Sequence, residues 1–191
     1  MQKKFSTAFG AALLATTTVL ALPAAAQQKL VPEQSEIAFV SRQMGVPVEG
    51  RFRKFDAQVA FDPARPAASK VAFTVDMGSV SLSPEANAEL PKPVWFDVPK
   101  FPQATFQSSA VKALGGGKFE VAGKLAIKGV QQDVVVPMAL AQNGASTVAT
   151  GQFTIKRLAF KVGENEWADT SMVADDVQVR LRLTLAGVPK L

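Results

Sequence analysis

The sequence predicts an all-β fold: an eight-stranded antiparallel up-and-down barrel with one short helix and a capping loop. Three observations carry it. Apolar and polar residues alternate with period two along most of the chain, the alternating runs are bounded by short turn signals, and many runs are longer than ordinary sheet strands. The clearest alternation is Val177-Gln178-Val179-Arg180-Leu181-Arg182-Leu183-Thr184-Leu185, where every odd position is aliphatic and every even one polar. Such a segment presents one face to a core and the other to water.

The same reading gives runs over 29–42, 46–62, 69–80, 103–113, 118–128, 131–142, 146–161 and 175–187. Gly115-Gly116-Gly117, Gly129 and Asn143-Gly144 separate consecutive runs by tight turns, so neighbours must be antiparallel. Closure into a barrel removes the edges an open meander would expose, with a two-sheet sandwich as the other arrangement. Within 46–62 the apolar phase shifts from Val48 and Phe52 to Phe55, Val59 and Phe61, which predicts a bulge near Arg53-Lys54.

Residues 81–102 interrupt the pattern. Ser83 followed by Pro84 and Glu85 is a helix start, and Pro91 stops the helix. Trp95, Phe96, Val98 and Phe101 then sit among Pro91, Pro93, Pro99 and Pro102, an irregular loop with an apolar face that suits a cap on a barrel end or a lid over an opening.

At the N-terminus Lys3 and Lys4 precede an uncharged stretch ending in Ala24-Ala25-Ala26. This reads as a secretory signal peptide, residues 1–26, cleaved after Ala26, because the apolar centre is shorter than the roughly 20 residues of a spanning helix and Pro23 interrupts it. The expected mature protein is a single periplasmic domain over 27–191. Without Lys3 and Lys4 it carries 19 bases against 16 acids, dispersed singly, which argues against a nucleic-acid partner. The chain has no cysteine, so burial and strand pairing alone must hold the fold.

With no His, Cys or Tyr, the chain has no serine triad with histidine, no thiol nucleophile and no histidine-based metal site. Asp175 and Asp176 are adjacent and so face opposite sides of a strand, and Glu164, Glu166 and Asp169 lack the ligand spacing of a calcium loop. No catalytic residue, metal site or cofactor is therefore expected. The residues Arg51, Arg53 and Lys54 fit an anionic headgroup or a solvated strand end. What the composition supports best is burial: Phe39, Phe52, Phe55, Phe61, Phe73, Phe106, Phe119 and Phe153 are expected to face inward. An eight-stranded barrel is just wide enough to be filled by such side chains or to hold one ligand.

Four segments in order resemble the YceI-like family: Gly50-Arg51-Phe52-Arg53-Lys54-Phe55-Asp56; Trp95-Phe96-Asp97-Val98-Pro99-Lys100-Phe101-Pro102-Gln103-Ala104-Thr105-Phe106; Phe119-Glu120-Val121-Ala122-Gly123-Lys124-Leu125-Ala126-Ile127-Lys128-Gly129-Val130; and Phe153-Thr154-Ile155-Lys156-Arg157. The resemblance implies a lipocalin-like barrel holding a polyisoprenoid or a related amphiphile such as a quinone or fatty amide. It marks Phe52, Phe55, Trp95, Phe96, Phe106 and Arg157 as family-pattern positions. The ligand-binding set is therefore Phe39, Phe52, Phe55, Phe73, Trp95, Phe96, Phe106, Phe119, Phe153 and Arg157, with Arg157 or the 81–102 loop at the ligand's polar end. Two positions depart from the pattern: Lys128, where many relatives have His, and Phe160-Lys161, where many have Gly. The expected partner is a long-chain lipid, with transient membrane contact and a homodimer both compatible with the sequence. A structural protein with a filled barrel is the second reading, and an enzyme using Asp97, Asp175 or Asp176 the third.

Overall fold

The computed structural model describes residues 28–191, so the expected signal peptide lies outside the described residues. Eleven strands form one antiparallel sheet: β1 (Lys29–Leu30), β2 (Glu36–Gln43), β3 (Val46–Phe52), β4 (Phe55–Ala60), β5 (Lys70–Asp76), β6 (Val80–Ser81), β7 (Gln103–Gly115), β8 (Lys118–Ile127), β9 (Val130–Asn143), β10 (Ser146–Lys156) and β11 (Asp176–Ala186). Among the described residues the one α-helix is α1 (Pro84–Glu89).

The count differs from eight because three runs break and re-form. A 3-10 turn at Pro32–Gln34 splits β1 from β2, though both pair with β11. A second 3-10 turn at Met77–Ser79 splits β5 from β6. The bulge expected at Arg53-Lys54 is a full break between β3 and β4. The two halves still run beside the two halves of one neighbouring segment, since β3 pairs with β6, β4 with β5, and the junction is bridged by Arg53 N to Ser79 O at 3.1 Å and Asp76 N to Lys54 O at 3.0 Å. Taken as one bent strand, β3–β4 joins β2 on one side to β5 on the other and closes an up-and-down ring. The run expected over 146–161 stops at Lys156, where a 3-10 turn at Leu158–Phe160 folds Phe160 into the interior.

One end of the barrel is blind. Phe61 and Phe119 meet edge-to-face with ring centroids 5.0 Å apart and pack with Val111, Leu185 and Val188. The Gln28 side-chain amide reinforces this end by donating to Phe61 O at 2.6 Å and accepting from Phe61 N at 2.8 Å, standing in for a strand neighbour at the margin of β4. At the opposite end, Ser83 caps α1 by accepting from Ala86 N at 3.2 Å, and the helix lies across the opening.

Crowding by side chains requires glycine at one inward position. A Cβ placed on Gly50 would lie 2.4 Å from the Phe39 ring and 2.6 Å from Leu82. Gly50→Ala is therefore expected to lower stability by about 1–3 kcal/mol through overpacking, read as a shifted urea midpoint; an unchanged midpoint would mean that Phe39 has room to move.

An apolar hollow with a tied mouth

The alternation of β11 is realised in full: Val177, Val179, Leu181, Leu183 and Leu185 all face the barrel interior, and that interior is hollow. A cavity of about 360 Å³ occupies the mouth half. A second, of about 140 Å³, occupies the blind half and is lined by hydrocarbon and the Met138 thioether. Ile37, Val75, Leu125, Phe153 and Val179 belong to both walls and form a waist between the two.

Of the ten residues expected at the ligand, Phe39, Phe52, Trp95, Phe96, Phe153 and Arg157 line the mouth cavity. Phe73, Phe106 and Phe119 line the blind one with Phe153. Phe55 lies outside both walls, packed against the cluster of Ile37, Ala149 and Leu183. Phe55 shares the inward face of β4 with Val59, which does line the blind cavity; packing against that cluster takes up the space around its ring, so it borders no open volume. Arg51 and Arg53 lie exposed and also miss the hollow: Arg51 is 3.9 Å from Glu36, and Arg53 donates to Ser81 Oγ at 2.9 Å.

The mouth is built from two segments. Leu82, Ser83, Glu85, Ala86, Glu89 and Leu90 bring α1 and its flanks to the rim, followed by Trp95 and Phe96. The second segment is 157–173, which supplies Phe160, Val162, Trp167 and Val173. Periodicity misses this second segment because its apolar residues follow no repeat; the available signal was Trp167, one of only two tryptophans in the chain. Both tryptophans line the mouth cavity, with ring centroids 5.4 Å apart.

Arg157 is 3 % exposed, and its role is not the one expected. Its Nε donates to Ala174 O at 3.1 Å, Nη1 to Val162 O at 2.9 Å and Gly163 O at 2.7 Å, and Nη2 to Trp167 O at 2.5 Å and Val173 O at 2.7 Å. A guanidinium has five N–H donors, and backbone carbonyls take all five. Burial pushes its pKa down, opposed by the nearby Asp175 carboxylate, yet an arginine at that position stays charged. Arg157 therefore organises the loop around itself and has no donor left for a guest's head. Its plane also lies 5.9 Å from the Trp95 ring centroid, a cation–π contact.

Glycine is required beside it. Gly163 has φ of 72°, and a Cβ there would lie 2.5 Å from Arg157 Nη1 and 2.7 Å from Trp95. Gly163→Ala is expected to destabilise the mouth loop, measured as faster amide exchange over 160–175; unchanged exchange would contradict that fit.

Lys128 ties the two mouth segments together. Its Nζ donates to Lys161 O at 2.6 Å and pairs with Glu164 at 3.2 Å, while Gly163 N donates to Val94 O at 2.8 Å. Lys128 and Lys161 both adopt left-handed backbone, with φ of 50° and 57°. Two remaining acids serve the fold: Asp175 accepts from Leu158 N at 2.9 Å, and Asp176 pairs with Lys156 at 2.6 Å on the exposed side. Neither lines the hollow, and nor does Asp97; among the described residues Glu85 and Glu89 at the rim are its only carboxylates.

Comparison with known proteins agrees with this architecture. A crystal structure of Burkholderia cenocepacia BcnA is similar over 81% of this chain and 98% of that one, at 47% identity and a TM-score of 0.79. The Campylobacter jejuni YCEI protein shares the fold at 24% identity and a TM-score of 0.65, covering 72% of this chain and 83% of that one. Among curated relatives, a UPF0312 protein of Ectopseudomonas mendocina is 32% identical over 131 residues, 66% of this chain and 69% of that one. The match to a UPF0312 protein of Azotobacter vinelandii is 39% identical over 88 residues and spans about half of each chain, 46% in both cases. The model of the YceI-like domain matches residues 28–185, and the chain belongs to that family.

Proposed function

We propose that this protein is a periplasmic carrier that holds one long-chain isoprenoid, or a similar amphiphile such as a quinone or fatty amide, along its barrel axis for transport or storage. The observation that carries this reading is the hollow itself, walled mainly by apolar side chains in both halves, with the carboxylates Glu85 and Glu89 confined to its rim. Its mouth half alone falls within the range of small-molecule sites, about 300–1,000 Å³. A structure of a polyisoprenoid-binding domain from Saccharophagus degradans, 15% identical with a TM-score of 0.66 over 84% of this chain and 98% of that one, has the same fold and supports the choice of guest.

Affinity then comes from the tail. Each methylene buried contributes about 0.8 kcal/mol, so a long chain binds firmly without a charged anchor. A filled structural barrel is disfavoured by the open volume. An enzyme on Asp97, Asp175 or Asp176 is disfavoured because none of those acids lines the hollow. Export to the periplasm rests on the N-terminal pattern of Lys3, Lys4 and Ala24-Ala25-Ala26.

Both tryptophans line the mouth, so intrinsic fluorescence reads the site directly. Titration with a long-chain quinone is expected to quench that emission saturably, at one equivalent per chain. Emission that falls only in proportion to free quinone would overturn the reading.

A further inference from the structure

Six large hydrophobic side chains stand exposed among the described residues, and three of them meet at one tip: Met44 at 71 %, Val46 at 61 % and Met172 at 45 %. Met44 belongs to the turn between β2 and β3, Val46 opens β3, and Met172 belongs to the loop anchored by Arg157. The two are stitched by Met44 N to Met172 O at 2.9 Å, Ala174 N to Arg42 O at 2.9 Å and the bridge between Gln43 and Val173. Gln43 and Val173 in turn line the mouth cavity. The apolar tip is thus the outer side of the wall whose inner side is the opening.

Isolated exposed hydrophobics need no explanation, but a cluster beside an apolar opening does. From this juxtaposition we propose that the 42–46 turn and the 170–173 loop form a membrane-docking element that inserts into a lipid surface and sets the mouth against it. The proposal rests on the carrier reading above and adds where the cargo enters. Area separates a bilayer from a protein partner. A stable protein interface takes about 800 Å² from each side, far more than three side chains supply, whereas a single acyl chain already gives reversible membrane binding near 10⁴ M⁻¹. Marginal, reversible attachment is what a carrier needs if it is to leave again. Two methionines suit a fluid partner, since an unbranched thioether adapts to irregular surroundings. Arg42 adds a phosphate-compatible cation: its guanidinium donates to Gly45 O at 3.1 Å and makes no ion pair among the described residues.

The test compares the protein with a triple variant, Met44→Ser, Val46→Ser and Met172→Ser, using vesicles of phosphatidylethanolamine and phosphatidylglycerol and a pyrene-labelled polyprenol as cargo. The parent protein is expected to sediment with empty vesicles and to speed cargo transfer between them. The triple variant is expected to lose on the order of 100-fold in vesicle partitioning and to transfer correspondingly slowly, yet to take up the same probe from ethanol solution with unchanged stoichiometry. A control pair, Leu114→Ser and Val135→Ser, removes exposed apolar groups elsewhere and is expected to behave as the parent. Equal partitioning and transfer by the triple variant overturns the docking proposal, as does a parent protein whose oligomeric state, and not its vesicle binding, changes with the three substitutions. Failure of the parent to take up the probe from solution overturns the carrier reading instead.

Discussion

Replacing Arg157 by Met is expected to cost about 4 kcal/mol of folding stability, the largest effect of any single substitution at the mouth. The variant keeps much of the side chain's volume but strands five carbonyls, those of Val162, Gly163, Trp167, Val173 and Ala174. Each buried acceptor left without a donor costs about 1–3 kcal/mol before the loop relaxes, and breaking a buried charged network typically costs about 3–5 kcal/mol. Arg157→Lys is no rescue, because an ammonium offers three donors from one point and cannot span the same five oxygens. Urea unfolding of parent and variants gives the number; a loss below about 1 kcal/mol would show that the carbonyls find water as the loop opens. Since Trp167 is held by this network, the variants should also show red-shifted emission.

The second large effect concerns the waist. Val179 lies on β11 between Phe153 and Phe39 in the strand ladder, and its side chain belongs to both cavity walls. Val179→Trp is expected to fill the waist and deny a guest the blind half. If about four methylenes are shut out, binding of a long chain weakens by about 3 kcal/mol, on the order of 100-fold. A short-chain analogue that stops in the mouth half is expected to lose much less, because its tail never reaches the blocked region. Comparing the two analogues by fluorescence titration separates a blocked channel from general damage. Equal losses for both would mean that guests do not pass the waist.

Much of this was legible because strands are a simple code. Period two in Val177 to Leu185 told which side chains face inward, and nine of the ten residues expected at a ligand do line the hollow. Turn chemistry placed Ser83 as the cap of α1 and Gly129 at a hairpin. What alternation could not convey was three-dimensional bookkeeping of two kinds. A phase change at Arg53-Lys54 reads the same whether a strand bulges or breaks, and only pairing with β5 and β6 settles it. A lone arginine beside an apolar strand looks like a ligand anchor, whereas carbonyls from residues 162–174 claim it, and no sequence pattern reports where carbonyls point. For the same reason the 157–173 loop was invisible as the second half of the mouth.

Native mass spectrometry of the protein purified without detergent tests the central claim, that the barrel interior holds a lipid chain, most directly. The expected spectrum shows the polypeptide carrying one additional mass, which disappears on solvent extraction and reappears in the extract as a long-chain lipid. A bare polypeptide mass that stays bare after incubation with excess polyprenol or quinone would contradict it.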